Sequence, residues 1–152
     1  MTKIRFATPA DVPEIVHVGK IMHAESPRFS KFPYAPEKVA QFTAALMASP
    51  VGCVIVAENC DGVIIGFYGG FIAEHYFSEA KFAADAAVFV APAYRGGSAF
   101  VRMAMLFEEW ARTHGAVEFQ PGISTEVNPD RTLKMYERLG YRLSGHLVVK
   151  DV

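Results

Sequence analysis

Arg95-Gly96-Gly97-Ser98 stands between an apolar run, Ala86 to Ala91 with Pro92 behind it, and a helical pattern of about 16 residues. Strand, glycine-containing turn and helix start together make a general anion site. The first N–H groups of the helix are unpaired, they lie at its positive end, and glycine lets a ligand come close. Such turns are common in α/β proteins, so this one points to phosphate binding only in combination with other signals. The groups nearby that could take up a proton are Asp85, Glu74 and His75. Asp85 heads an otherwise apolar Ala-Val-Phe-Val strand, where a carboxylate is costly unless partnered. Burial would raise its pKa, as a general base requires; the alternative is that Asp85 marks an exposed strand start. Glu74 and His75 close the preceding apolar run and are its rivals.

The elements that must position these groups follow from the pattern. Ile4 to Phe6 is a short first strand. Thr8-Pro9-Ala10-Asp11 is a helix start, with a Thr cap, Pro at the first position and an acid three residues after the cap. Val12, Ile15, Val16, Gly19 and Met22 give that helix one buried face. His23 to Tyr34, broken by Ser26-Pro27 and Phe32-Pro33, reads as an aromatic-rich loop that either folds onto the core or walls a substrate pocket. Pro36-Glu37 opens a second helix, which Ser49-Pro50 ends. Val51 to Ala57 and Val63 to Phe77 are strands joined by the hairpin signal of Asp61-Gly62. Gly66, Gly69 and Gly70 in the second run suggest a bulge or a close approach to the backbone.

The helix after the Gly turn carries Phe100, Met103, Ala104, Phe107, Trp110 and Ala111 on one stripe and stops at Gly115. Val117 to Ile123 is a fifth strand, interrupted by Pro121-Gly122. Asn128-Pro129 opens a last helix that runs to Leu139-Gly140, and Tyr141 to Val149 is a closing strand. The order β-α-α-β-β-β-α-β-α-β predicts an α/β (α+β) fold. Its sheet is mixed, with an early antiparallel hairpin, a parallel pair around the third helix, and helices on both faces.

At 152 residues the chain is one domain, residues 1–152, and its 51% hydrophobic content with 20% charge suffices for a core. The 15 basic and 16 acidic side chains nearly cancel, which argues against nucleic-acid binding and weakly against a strongly charged acceptor. No stretch approaches the roughly 20 apolar residues that span a bilayer, and no signal-peptide core is present. A cytoplasmic protein without a membrane partner is expected. Cys53 and Cys60 have neither metal nor redox spacing and read as reduced thiols. The five histidines include no His-x-x-x-His pair, so no metal is expected. The absence of Gly-x-Gly-x-x-Gly after the first strand argues against a nucleotide-binding dehydrogenase.

Three ordered motifs carry a resemblance: Ile4-Arg5-x-Ala7-Thr8-x-x-Asp11, then Val90-Ala91-Pro92-x-x-Arg95-Gly96, then Asn128 followed by Tyr136-Glu137-x-Leu139-Gly140-Tyr141. Over essentially its whole length the chain resembles the GCN5-related N-acetyltransferase superfamily, with a weaker similarity to the small phage- and prophage-encoded branch. The resemblance implies a V-shaped splay between strands four and five that holds acetyl-CoA as cosubstrate. Pantetheine would pair with Val88, Phe89 and Val90. The diphosphate would sit on the turn Arg95, Gly96, Gly97, Ser98, Ala99 and Phe100, with Asn128 meeting the cofactor or simply capping its helix.

Ser98 and Phe100 depart from the small residues that the family has there. Tyr136 matches the family's general acid, the alternative being a core aromatic; Asp85 or Glu74 would be the base. A Val90 N–H would stabilise the oxyanion. The implied reaction is direct acetyl transfer to a primary amine on a small molecule, peptide or protein, and a homodimer is expected from the family. A non-catalytic module that binds acyl-CoA or a protein partner is the alternative reading.

Overall fold

The computed structural model describes residues 1–152. It contains β1 (Lys3–Phe6), α1 (Val12–Glu25), α2 (Pro36–Ala48), β2 (Gly52–Glu58) and β3 (Ile64–Glu74). These are followed by β4 (Lys81–Val90), α3 (Ala99–Thr113), β5 (Ala116–Gln120) and α4 (Pro129–Arg138). The strands form one sheet in the order β1-β2-β3-β4-β5, antiparallel except for the β4/β5 pair. The expected mixed, mostly antiparallel sheet flanked by helices is therefore what the chain forms.

Strand alternation explains why both faces are covered. In β2, Cys53, Ile55 and Ala57 point to one face and Val54 and Val56 to the other, and all five are buried. On the first face they meet Met103, Ala104, Phe107 and Ala111 of α3, with Leu139 from the end of α4 packed alongside. On the second they meet Ile15 and Val18 of α1, with Leu46 and Met47 of α2 at the margin. Gly70 serves the first face by close approach. A Cβ there would stand 2.4 Å from Cε2 of Phe107, whose ring also stacks on Tyr68 with centroids 4.6 Å apart.

Three expectations change. His23, Ala24 and Glu25 belong to α1, so the loop begins at Ser26. The fifth strand ends at Gln120, because Pro121 offers no N–H to continue a ladder. Tyr141 to Val149 forms no strand. Leu143, Leu147, Val148 and Val149 are exposed, and strand propensity without a neighbouring ladder does not make a strand. This segment is held to the rest by a Lys31–Asp151 ion pair and by the Tyr141 hydroxyl, which donates to Glu108 at 2.6 Å. Cys53 is buried, Cys60 is exposed, and both are free thiols. No helix is long and apolar enough to cross a membrane.

The first motif has a structural reason. Asp11, 7% exposed, accepts two bonds from Arg5, both 2.8 Å, and two from Thr8, at 2.7 Å from its N–H and 3.0 Å from its hydroxyl. Arg5 Nε donates a further 2.8 Å bond to Glu58, so one guanidinium ties β1, the turn into α1 and the end of β2. The Arg5 bonds hold the Asp11 carboxyl well below the usual carboxylate range, against the opposing effect of burial. Asp11→Asn is expected to cost about 2–3 kcal/mol in urea unfolding at neutral pH. Since folding lowers this pKa, the contribution is complete above the unfolded value of about 3.9 and is lost as pH falls below it. The variant should lack that acid-limb loss.

Candidate active site

The site begins where β4 and β5 part. They pair only over Lys81 to Ala84 against Ala116 to Gln120, whereas β3 follows β4 to its end, with Gly66 opposite Val90. The β3/β4 register steps from Gly69↔Ala87 to Gly70↔Asp85, leaving Ala86 as an extra residue. A bulge of this kind bends and twists its strand, and it falls where Pro121 turns the other strand away. Asp85 sits at the crotch of the V, where its Oδ1 accepts a 2.6 Å bond from the N–H of Gly122.

Beyond the crotch, one edge of β4 is open. The Ala91 N–H donates to Ile65 at 2.8 Å, so by the alternation of an antiparallel ladder the polar groups of Phe89 face β3. Those of Val88 and Val90 face the splay. The Val90 carbonyl is occupied, accepting from Nε of Arg95 at 2.9 Å. The Arg95 guanidinium also pairs in bidentate fashion with Glu25 of α1 (2.5 and 2.6 Å) and lies over the ring of Phe89, 5.2 Å from its centroid. That pairing holds Glu25 below its ordinary pKa. Arg95 thus fastens the turn to α1, and its charge is already matched.

The turn delivers the chain into α3 through Gly96 (φ +90°), and α3 has neither a side-chain cap nor an acid in its first turn. Its unpaired N–H groups and positive end face the cleft, which Gly96, Gly97, Ala99 and Phe100 line. The Ser98 hydroxyl makes no cap and lies exposed outside the lining. The Phe100 ring packs edge-on against Tyr136, centroids 5.3 Å apart at 76°. The side chain that departs from the family pattern is therefore accommodated against Tyr136.

On the opposite arm, Asn128 precedes α4 at φ 45°, ψ 57°, exposed and without a side-chain cap bond, so capping does not explain it. At the other end, the Tyr141 N–H donates to Tyr136 at 3.1 Å and the Gly140 N–H to Glu137 at 3.0 Å, with Gly140 at φ +93°. This closure requires a residue that tolerates the left-handed region, which accounts for the glycine of the third motif. It places Tyr136, 3% exposed, between Phe100 and Tyr141. Burial, and secondarily the Asp85 charge, raises the Tyr136 phenol above its ordinary pKa, and burial does the same for Tyr68 with Tyr136 and Asp85 adding. Asp85 is itself pushed up by burial, partly offset by the Gly122 bond.

These residues line one cleft of about 570 Å³: Asp85, Val88 to Val90, Arg95 to Gly97, Ala99, Phe100, Asn128 and Tyr136. Glu74 is not among them. It pairs with Lys81 at the far end of β3, four residues or about 13 Å beyond the position opposite Asp85. Tyr68 received no site role from the sequence, Glu25 only that of the His23 to Tyr34 stretch as a candidate pocket wall, and the strap between the α1–α2 loop and the segment after β5 had no signal. There the buried Ser26 hydroxyl donates to the Thr125 carbonyl at 2.6 Å, and Arg28 to that of Ser124 at 3.0 Å. The pairing of Arg95, in the Gly turn, with Glu25, 70 residues away, had no local signal. No group of three or more His, Cys, Asp or Glu side chains is arranged to hold a metal ion.

A single parallel pair parts beside an uncapped helix start, and a carboxylate and a phenol line the cleft between. The chain belongs to the Acetyltransferase (GNAT) family, whose model matches residues 19–141. Its fold is shared by a transcriptional regulator from Bacillus halodurans C-125 at 22% identity, TM-score 0.80 and 100% of each chain. An aminoglycoside antibiotic 6'-N-acetyltransferase, AAC(6')-Ih from Acinetobacter baumannii, superposes at 15% identity and TM-score 0.78, over 100% of this chain and 98% of that one. Glucosamine-6-phosphate N-acetyltransferase from Arabidopsis thaliana does so at 14% and 0.76, over 99% and 98%. No curated protein matches the sequence. Glu25→Gln is expected to lower stability by about 1 kcal/mol in urea unfolding, because a half-exposed bidentate pair loses its charge and its fork geometry.

Proposed function

We propose that the protein moves an acetyl group from acetyl-CoA to a primary amine by direct attack in a ternary complex. The observation that carries this is the meeting, in one cleft, of an open strand edge, an uncapped helix start, a half-buried carboxylate and a buried phenol. The residues present suit the cosubstrate. An extended amide-bearing arm can bond the Val88 groups, which leaves the Val90 N–H for the thioester, and a diphosphate suits the backbone of Gly96 to Phe100 at the positive end of α3. Arg95 supports that turn through Glu25 rather than offering a free charge. Asn128 supplies a side-chain amide from the other arm. Acetyl-CoA supplies an acyl group on a thiolate leaving group.

Asp85 accepts the amine proton: it is half-buried, meets no cation, and desolvation raises its pKa. The amine nitrogen attacks the thioester carbon, the C–S bond breaks, and Tyr136 gives its proton to the departing sulfur. The Val90 N–H is the donor assigned to the carbonyl oxygen. The phenol is then reprotonated from the carboxyl or from solvent, so the proton count balances. A raised phenol pKa keeps Tyr136 in the protonated form this role needs. No similarity singles out the phage-encoded branch, and the function is proposed for the family at large.

Thiol release over a panel of amines, with calorimetric titration of acetyl-CoA, tests the proposal. Tyr136→Phe and Asp85→Asn are each expected to lower kcat roughly 100-fold while acetyl-CoA affinity stays within a few-fold of wild type. The acid limb of kcat/KM should lie above the ordinary carboxylate value of about 3.9 and vanish in Asp85→Asn, because the base is active only when deprotonated. Absence of acetyl-CoA binding at millimolar concentration would sink the proposal. Binding without turnover on any amine would favour a non-catalytic acyl-CoA module.

A further inference from the structure

Between β5 and α4 the far arm of the V runs from Pro121 to Asn128 with no ladder beside it. Gly122, Ile123, Ser124, Thr125, Val127 and Asn128 of this segment line the cleft. Glu126 (φ 60°) and Asn128 (φ 45°) stand in the left-handed region, which residues other than glycine adopt uncommonly. Backbone of this kind persists only where its surroundings hold it. Three hydrogen bonds tie the segment to distant parts of the chain. Asp85 accepts from the Gly122 N–H at 2.6 Å, Arg28 donates to the Ser124 carbonyl at 3.0 Å, and the Ser26 hydroxyl donates to the Thr125 carbonyl at 2.6 Å. Ser26 is fully buried, and its oxygen also accepts the Phe29 N–H at 3.1 Å.

The same short stretch grips the other arm. Glu25, next to Ser26, pairs with Arg95, whose Nε donates to the Val90 carbonyl at the end of β4. The end of α1 and the turn after it therefore span the V from one arm to the other. We infer that Ser26 and Arg28, neither of which lines the cleft, are positioning residues for acetyl-CoA. With Glu25 they form a cross-brace that sets the separation of the arms and holds the far wall ready for the ligand. The inference rests on the acetyl-transfer reading and adds to it a source of cosubstrate affinity outside the cleft. A wall already in place costs the ligand no ordering, whereas a wall that is in place only part of the time lowers the apparent affinity by that fraction. Loss of the Ser26 hydroxyl leaves the Thr125 carbonyl and the Phe29 N–H without their partner. Loss of Arg28 frees the Ser124 carbonyl, and the Asp85 bond then holds the segment only near its start.

The experiment titrates acetyl-CoA into the full chain by calorimetry and follows backbone hydrogen exchange over residues 121–128. Ser26→Ala and Arg28→Met are each expected to raise the acetyl-CoA Kd about tenfold. Both should speed exchange over 121–128 in the free protein, and saturating acetyl-CoA should slow it again. Arg28→Lys keeps a donor for the Ser124 carbonyl and should bind within about threefold of wild type. Asp11→Asn weakens the fold at the other end of α1 and should leave Kd within about twofold, which separates the brace from a general loss of stability. Unchanged Kd in Ser26→Ala and Arg28→Met, an equal rise in Asp11→Asn, or Arg28→Lys no better than Arg28→Met overturns the inference. Should Ser26→Ala fail to fold, Arg28→Met, at a half-buried position, decides alone. If the wild type does not bind acetyl-CoA, the acetyl-transfer reading falls and the inference with it. If it binds and the brace variants bind equally well, only the inference falls.

Discussion

The site depends on the parting of β4 from β5. A parallel pair normally continues as long as both strands have groups to exchange, and here two local features stop it within one residue of each other. Pro121 removes a donor from one arm, and the extra residue at Ala86 twists the other. The backbone of Val88 and Val90 is consequently left without a ladder partner inside an otherwise paired sheet. An unpaired edge in the middle of a sheet is normally a liability. It is tolerated because it lines a cleft where a ligand's amides can take the place of a strand.

The surroundings keep the cleft's chemistry available. Acids are absent from the start of α3 and Arg95 is matched by Glu25, so no acid in the first turn quenches the positive end of the helix. Tyr136 is walled by two aromatic rings and fixed by the closure at Gly140, which gives the phenol one orientation and little water. The strap from Ser26 and Arg28 to Thr125 and Ser124 joins the loop that follows α1 to the far arm of the V. The strap and the Asp85–Gly122 bond at the crotch are therefore two separate connections to the segment after β5.

The fold was legible wherever one local pattern decided the matter. Helix periodicity, Pro at the first helical turn and the Asp61-Gly62 hairpin each act over a few residues, and the elements they mark are present. Asp85 was legible for the same reason, as an acid in an apolar strand. What escaped was set by pairing at long range. The Tyr141 to Val149 run has strand composition but no ladder beside it, and composition carries no information about neighbours. Phe100 looked like an obstruction because its type was visible and its direction was not; the ring turns to Tyr136, 36 positions away in the chain. Glu25 and Tyr68 share this character, since their partners Arg95 and Phe107 are groups that only the folded chain brings near.

The bond from Gly122 to Asp85 joins the two arms of the V through a group that, on the proposed mechanism, changes charge once per turnover. A hydrogen bond to a carboxylate is roughly twice as strong as one to a neutral carboxyl. The clasp is therefore tight while Asp85 awaits the amine, and slack once it holds the proton. On that mechanism, uptake of the proton, which comes before or with the attack, weakens the bond between the two arms. On the same mechanism, the bond regains its strength once the carboxyl passes the proton on, to the Tyr136 phenolate or to solvent.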